Sequence, residues 1–192
     1  YYRGHRYNES VNEWLKILRV DSTYPDAYYQ IGNLYYLAGQ YQNAAAYANR
    51  YVTLKPNDIY GQWLLARSLA EIGQYQQALP ALEKVAVNDS LKALSQVLMA
   101  RGLFYQKDYP KAIQIFSSSK NLEPKDYTYW GVALYNTGDT TGAIKELQQS
   151  LVNDTIRADK EQEAVMQQIA SWLYSQKRFD EAGKEFGEIA DK

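Results

Sequence analysis

A small side chain returns at a nearly constant interval along this chain, each time near the start of a helix-forming segment. The positions are Ser10, Ala44, Ala78, Ala112, Ala143 and Ala182, with steps of 34, 34, 34, 31 and 39 residues. Such a period holds two short helices and their turns, and it is too short for a domain with a core of its own. The stretch Tyr28–Pro56 shows the unit most fully. Tyr28, Ile31, Gly32 and Tyr35 recur at three- and four-residue steps, as do Ala44, Ala48, Tyr51 and Leu54, so each set lines one helix face. Gly39-Gln40 supplies the turn between them. Gly32 and Ala44 are small where the two helices approach closely.

The pattern continues in phase. The opening unit offers only a stub of its first helix, then Tyr7, Ser10, Trp14, Ile17 and Val20 in a second. The third unit has Leu65, Ala66, Leu69, Gly73, Tyr75, Ala78, Leu82 and Val85, and the fourth has Met99, Ala100, Leu103, Tyr109, Ala112 and Phe116. The fifth has Trp130, Gly131, Leu134, Gly138, Ala143 and Leu147, and the last has Ile169, Ala170, Leu173, Phe179, Ala182 and Phe186. Five and a half such units resemble the tetratricopeptide-repeat family over nearly the whole length. The resemblance implies an all-α fold, a right-handed superhelical solenoid of antiparallel helix pairs. The expected units are 1–24 (partial), 25–58, 59–92, 93–123, 124–157 and 158–192, forming a single domain over 1–192.

Departures from the pattern carry expectations of their own. Gln62 stands where a large apolar residue is usual, and Pro80 removes a donor early in a second helix. The 31-residue step drops about one helical turn ahead of the fifth unit. The 39-residue step predicts that the helix from about 155 to 176 is the longest, capped by Asp154 or Thr155. Gly39, Gly73 and Gly138 should end first helices in a left-handed conformation. Pro56 and Pro124 should stop second helices, whereas Pro25 and Pro110 suit first-turn positions. Phe186 and Ile189 should be partly exposed at the last unit unless another copy or further residues cover them. The chain opens without Met, in the middle of a motif, as expected for part of a longer or processed protein.

Composition excludes several function classes. With no Cys and His5 as the one His, Cys–His and Ser–His–Asp catalysis are nearly excluded and a His-based metal site is excluded. Each Gly is isolated, so no phosphate-cradling loop is present. Asp159, Glu161 and Glu163, interleaved with Lys160, read as a solvated helix start. No enzymatic activity, cofactor or metal is expected. A net charge of −1 gives no drive toward nucleic acid or membrane surfaces, and no apolar run is long enough to span a bilayer. The 19 Tyr suit helix–helix contacts, where the ring packs and the hydroxyl stays wet.

What remains is a surface. In the family the first helices line a concave groove that usually binds a peptide. By resemblance, one groove-facing row is Asn33, Arg67, Arg101, Val132 and Ser171. A second row is Tyr2, Tyr36, Ala70, Phe104, Tyr135 and Tyr174, and a third is Tyr29, Trp63, Val97, Thr128 and Gln167. Candidate partner-binding residues are therefore Tyr29, Asn33, Tyr36, Trp63, Arg67, Arg101, Phe104, Tyr135 and Tyr174. Arg67 and Arg101 beside these rings suit a carboxylate or an aromatic-containing extended peptide. The same rings also fit packing between neighbouring first helices. The carboxylate clamp that holds chaperone C-termini is not reproduced: Asn33 fits one clamp position, but Tyr29 and Leu64 stand where Lys and Asn are needed.

The expected function is a protein-interaction scaffold whose partner is a protein or peptide, with no nucleic acid and no membrane insertion. The alternatives are self-assembly into a homo-oligomer through uncapped ends, or service as an accessory domain of a larger cell-envelope protein. Asp21-Ser22-Thr23, Asp89-Ser90-Leu91, Asp139-Thr140-Thr141 and Asp154-Thr155-Ile156 resemble an O-glycosylation motif of exported bacterial proteins, which would place the chain in the periplasm or cell envelope rather than the cytoplasm. Turn and capping chemistry accounts for the same residues, and for the sequons at Asn8, Asn88 and Asn153.

Overall fold

A computed structural model of the chain describes the backbone of residues 2–120, 122–152 and 159–190 and, within these, the side chains of all but 2–6, 159–162, 186 and 188–190. Among the described residues the fold is all-helical. It divides into two compact units, Tyr1–Tyr105 and Gln106–Lys192. The first holds α1 (Tyr2–Val20), α2 (Pro25–Leu37), α3 (Tyr41–Leu54), α4 (Ile59–Glu71), α5 (Tyr75–Val85) and α6 (Asp89–Tyr105). The second holds α7 (Tyr109–Ser118), α8 (Pro124–Asn136), α9 (Thr140–Val152), α10 (Asp159–Ser175) and α11 (Phe179–Ala190).

Three-residue turns join α2 to α3, α4 to α5, α8 to α9 and α10 to α11, which forces each pair to run antiparallel. Gly39, Gly73 and Gly138 take positive φ (74°, 74° and 94°), as the turn requires. The turn then closes the same way each time. The N–H groups of Gln40, Gln74 and Asp139 donate back to the carbonyls of Tyr35, Leu69 and Leu134 at 2.9–3.0 Å. Lys177 adopts the same conformation with φ 60°, and Arg178 N–H donates to Leu173 O at 3.0 Å. Lys107 is likewise left-handed at φ 63°. Sequence gave no sign of these two turns, because Lys is not a turn signal.

The periodic small residues sit where the helices touch. Ala44, Ala78, Ala112 and Ala143 are fully buried and Ala182 nearly so. In two pairs the residue faced is a glycine twelve positions earlier. A Cβ added at Gly32 would lie 3.4 Å from both Ala44 O and Ala48 N, and one added at Gly131 only 2.9 Å from Ala143 O. In the first unit Ala45, Ala66, Leu69, Ala78, Ala81 and Leu82 form a core, with Trp63, Leu65, Ile72, Leu98 and Met99 packed against it. In the second, Ala143, Ile144 and Leu147 meet Val165, Ile169, Trp172, Leu173 and Ala182.

Consecutive pairs in the first unit are joined by matched side-chain sizes. Tyr51 of α3 is buried with its ring over Gly61 of α4, where an added Cβ would collide with it. Its hydroxyl bonds to Asp58, which caps α4 by accepting Gly61 N–H at 2.7 Å. Burial, with the Asp58 charge beside it, pushes the Tyr51 hydroxyl up to about 12. One period later the same register positions hold Val85 and Ser95, both fully buried. Gln62, the polar residue in an apolar position, donates to Pro56 O at 2.8 Å and ties the end of one pair to the start of the next.

Two expectations are corrected. The opening unit has no separate first-helix stub: α1 runs unbroken from Tyr2 to Val20. Ser10 and Val20 of α1 are exposed, Val20 by 91%. Pro124 opens a helix and does not stop one. The second helix of its unit, α7, already ends at Ser118 after ten residues, and this shortening absorbs the 31-residue step. Glu123 and the buried Asp126 form a capping box around Pro124, Asp126 Oδ2 accepting Glu123 N–H at 2.9 Å. Pro80 lies inside α5, which continues to Val85. The side chains of Tyr2, His5, Asp159, Lys160, Glu161, Phe186 and Ile189, and positions 153–155, lie outside the described residues.

Candidate partner-binding face

In the first unit α2, α4 and α6 are successive first helices, and α4 touches both of the others. Asn33 of α2 and Arg67 of α4 are one period apart in sequence and meet in space. Arg67 Nη2 donates to Asn33 Oδ1 at 2.8 Å, and the guanidinium carbon lies 3.9 Å from the centre of the Tyr36 ring. An Arg over a tyrosine face gains from the ring's negative quadrupole, the more so as water is excluded. Tyr36 in turn meets Tyr41 edge-on at 5.2 Å, and its hydroxyl donates to Glu71 at 3.4 Å. Burial, then the Glu71 charge, pushes the Tyr36 hydroxyl upward in pKa, against the pull of Arg67. Asn33, Tyr36 and Arg67 thus form one half-buried constellation across two repeats.

The remaining candidate residues divide by environment. Tyr29 packs on Tyr51 at 5.2 Å, and Trp63 rests against the first unit's core. Arg101 occupies Arg67's position one period on, yet it is buried, with 6% exposed. The two arginines therefore do not stand as a pair of exposed cations. Phe104 is half-buried and edge-on to Tyr105, which stacks on Tyr75 at 5.0 Å. In the second unit Tyr135 stacks flat on Trp172 at 4.1 Å and Tyr174 meets Phe179 edge-on at 5.1 Å. Each keeps a large exposed area, 40% for Tyr135 and 63% for Tyr174. Sequence reasoning missed Tyr41 and Glu71. Their signals were present: Glu71 lies one turn beyond Arg67, and Tyr41 lies just across the Gly39 turn from Tyr36.

Among the described residues no group of three or more His, Cys, Asp or Glu is placed to hold a metal ion, and no helix is long and apolar enough to cross a membrane. The buried Glu146 carboxyl is pushed up in pKa by burial, partly offset by Lys145. The Asp-Ser/Thr turns serve the backbone. Asp21 accepts both the N–H and the hydroxyl of Thr23, and Asp139 accepts Gly142 N–H at 2.8 Å. Asn88, the head of one sequon, accepts the N–H groups of Ser90 and Leu91 and so caps α6.

Comparison with known proteins agrees with this architecture. The family model for the anaphase-promoting complex, cyclosome, subunit 3 matches residues 5–85, and a tetratricopeptide repeat model matches residues 64–126. Superkiller protein 3 of Saccharomyces cerevisiae is 28% identical over 97 residues, which is 48% of this chain and 7% of that protein. The chain thus spans a small fraction of that relative's length. Among solved structures, MamA of Desulfovibrio magneticus RS-1 superposes with a TM-score of 0.69 at 17% identity, covering 87% of this chain and 93% of that one. YrrB, described as a TPR protein with an unusual peptide-binding site, gives 0.67 at 17% identity, covering 80% of each. Identities this low speak for the fold alone.

Proposed function

Since the chain belongs to the tetratricopeptide-repeat family, we propose that it is a non-catalytic scaffold that holds a segment of a partner protein in the concave groove lined by its first helices. Proteins of this family generally work by binding other proteins, and the structurally similar YrrB is named for a peptide-binding site. The observation that carries the reading is the Asn33–Arg67–Tyr36 constellation. Polar and aromatic side chains from adjacent repeats are already held in place there. A segment that docks on fixed groups does not bear the entropy of ordering them. A net charge of −1 argues against nucleic acid as the partner.

The test is affinity capture from the source cells with in situ crosslinking, wild type beside an Asn33→Ser/Tyr36→Ser double variant. A protein held by the wild type and lost by the variant, with helicity and melting retained, is the expected result. Identical captures on both would remove the groove from the account. Recovery of the chain alone would point to self-assembly instead.

A further inference from the structure

We propose that Arg67 and Asn33 form a receptor for one acidic side chain, an Asp or Glu inside an extended segment of the partner. This rests on the groove reading above and narrows it to a chemistry. The argument begins with charge. Arg67 is half-buried and, among the described residues, has no carboxylate partner: its contacts are a neutral amide oxygen and a neutral ring. Its Nε is buried with no acceptor. Folded chains rarely leave a partly desolvated cation uncompensated, because water no longer solvates it fully. Glu71 is one helical turn away on α4 and could have compensated it, but Glu71 takes the Tyr36 hydroxyl instead.

Hydrogen-bond direction supplies the second step. A guanidinium only donates, so Asn33 must turn its oxygen toward Arg67, and its amide nitrogen is left as a donor. Asn33 Nδ2 and Arg67 Nη1 carry no partner among the described residues, and neither is fully buried. The 2.8 Å bond between Arg67 Nη2 and Asn33 Oδ1 ties together the two side chains that carry these donors. Two adjacent donors, one of them cationic, match the two oxygens of a carboxylate.

Two further features set the form of the ligand. Glu71 places a negative charge at one edge of the site, so a single acidic residue fits where an acidic run or a phosphate backbone would be repelled. Arg67's own row continues into Asn33 and the buried Arg101, while the rows beside it are apolar or aromatic, with Tyr29 on α2 and Val97 and Phe104 on α6. The bound segment therefore continues past the acidic residue in both directions, and a chain-terminal carboxylate is not needed.

The test uses the whole 192-residue chain and a phage-displayed library of random peptides fused at both ends to their carrier. Selected sequences should share one Asp or Glu flanked by apolar residues. As synthetic peptides with amidated C-termini, they should lose about tenfold or more in affinity when that residue becomes Asn or Gln. Arg67→Gln should bind the acidic and amide peptides equally, and Glu71→Gln should tighten the acidic one. Peptides that bind through the groove, lost in Tyr36→Ala, yet tolerate both Arg67→Gln and the amide substitution would overturn the acidic receptor and leave the groove intact. No selected peptides, or peptides indifferent to both Tyr36→Ala and Arg67→Gln, would overturn both. If Arg67→Gln does not fold, the amide substitution in the peptide decides the matter.

Discussion

Helices α4 and α6 occupy the same place in successive repeats, and they put the same residue types to different use. Each carries an arginine at the same register position. Arg67 lies half-buried over Tyr36, whereas Arg101 is buried to 6% exposure. The residue one period after Tyr36 is Ala70, which offers no ring to hold a guanidinium at the surface. Tyr51 of α3 lies on Gly61 of α4, whereas the same two register positions one period on hold Val85 and Ser95, both fully buried. After α4 the chain turns through Gly73, and after α6 through a left-handed Lys107. Repeats therefore share a phase and a backbone, but each junction is solved by its own side chains. A residue's role follows from its neighbour one period away rather than from its register.

The largest test sets the two arginines against each other. Arg101→Glu should cost about 3–5 kcal/mol, since it reverses a buried charge among partners arranged for a cation. Arg67→Glu should cost only about 1 kcal/mol, the loss of one charge-assisted bond and a ring contact. Denaturant midpoints compare them directly, and equal losses would erase the contrast. Next comes size matching. Gly61→Ala should destabilise by about 1–3 kcal/mol, because the Tyr51 ring occupies the space of the new methyl and this outweighs the helix propensity gained. A second substitution, Tyr51→Val, should recover part of the loss, and no recovery would mean the clash is relieved some other way.

The hydroxyl of Tyr51 sharpens the same contrast through pH. Its folded pKa of about 12 lies above its ordinary value near 10, so the folded state holds this proton more tightly than the unfolded chain does. The stability it contributes is complete below pH 10 and is lost as pH rises through 12. Tyr51→Phe should lower stability by about 1 kcal/mol near neutrality, through the lost bond to Asp58, and should flatten the alkaline decline. Val85, at the same register one period on, carries no hydroxyl to titrate. The smallest effect concerns the turns. Lys107→Gly should raise stability by about 0.5–1 kcal/mol by relieving a left-handed backbone, and Gly73→Lys should lower it by a similar amount. A neutral Lys107→Gly would show that the Lys side chain stabilises its turn.

Much of the fold was legible because period and turn chemistry are local. Gly39, Gly73 and Gly138 announced their turns, and the alanines marked the helix contacts. Pro124 was misread because a proline can follow one helix or begin the next, and the deciding partner was the buried Asp126. The candidate site was legible only as rows. Register placed Arg67 and Arg101 together, but burial depends on what faces each from the preceding repeat. The role of Glu71 emerged only once Tyr36 was seen to reach it across 35 residues of sequence. Pairings of that kind have no local signature.

The Tyr51–Gly61 contact also bears on how such a chain can be shortened or lengthened. The period makes each 34-residue block look like a cassette that can be cut out without disturbing the phase. Removing residues 52–85 would leave every later helix in register, yet it would seat the Tyr51 ring against Ser95, whose Cβ takes the space that Gly61 leaves open. The first blocks are thus equal in length but not interchangeable in order. Each junction accepts only the neighbour whose side-chain volume complements its own, and the array records its own sequence of assembly in those volumes.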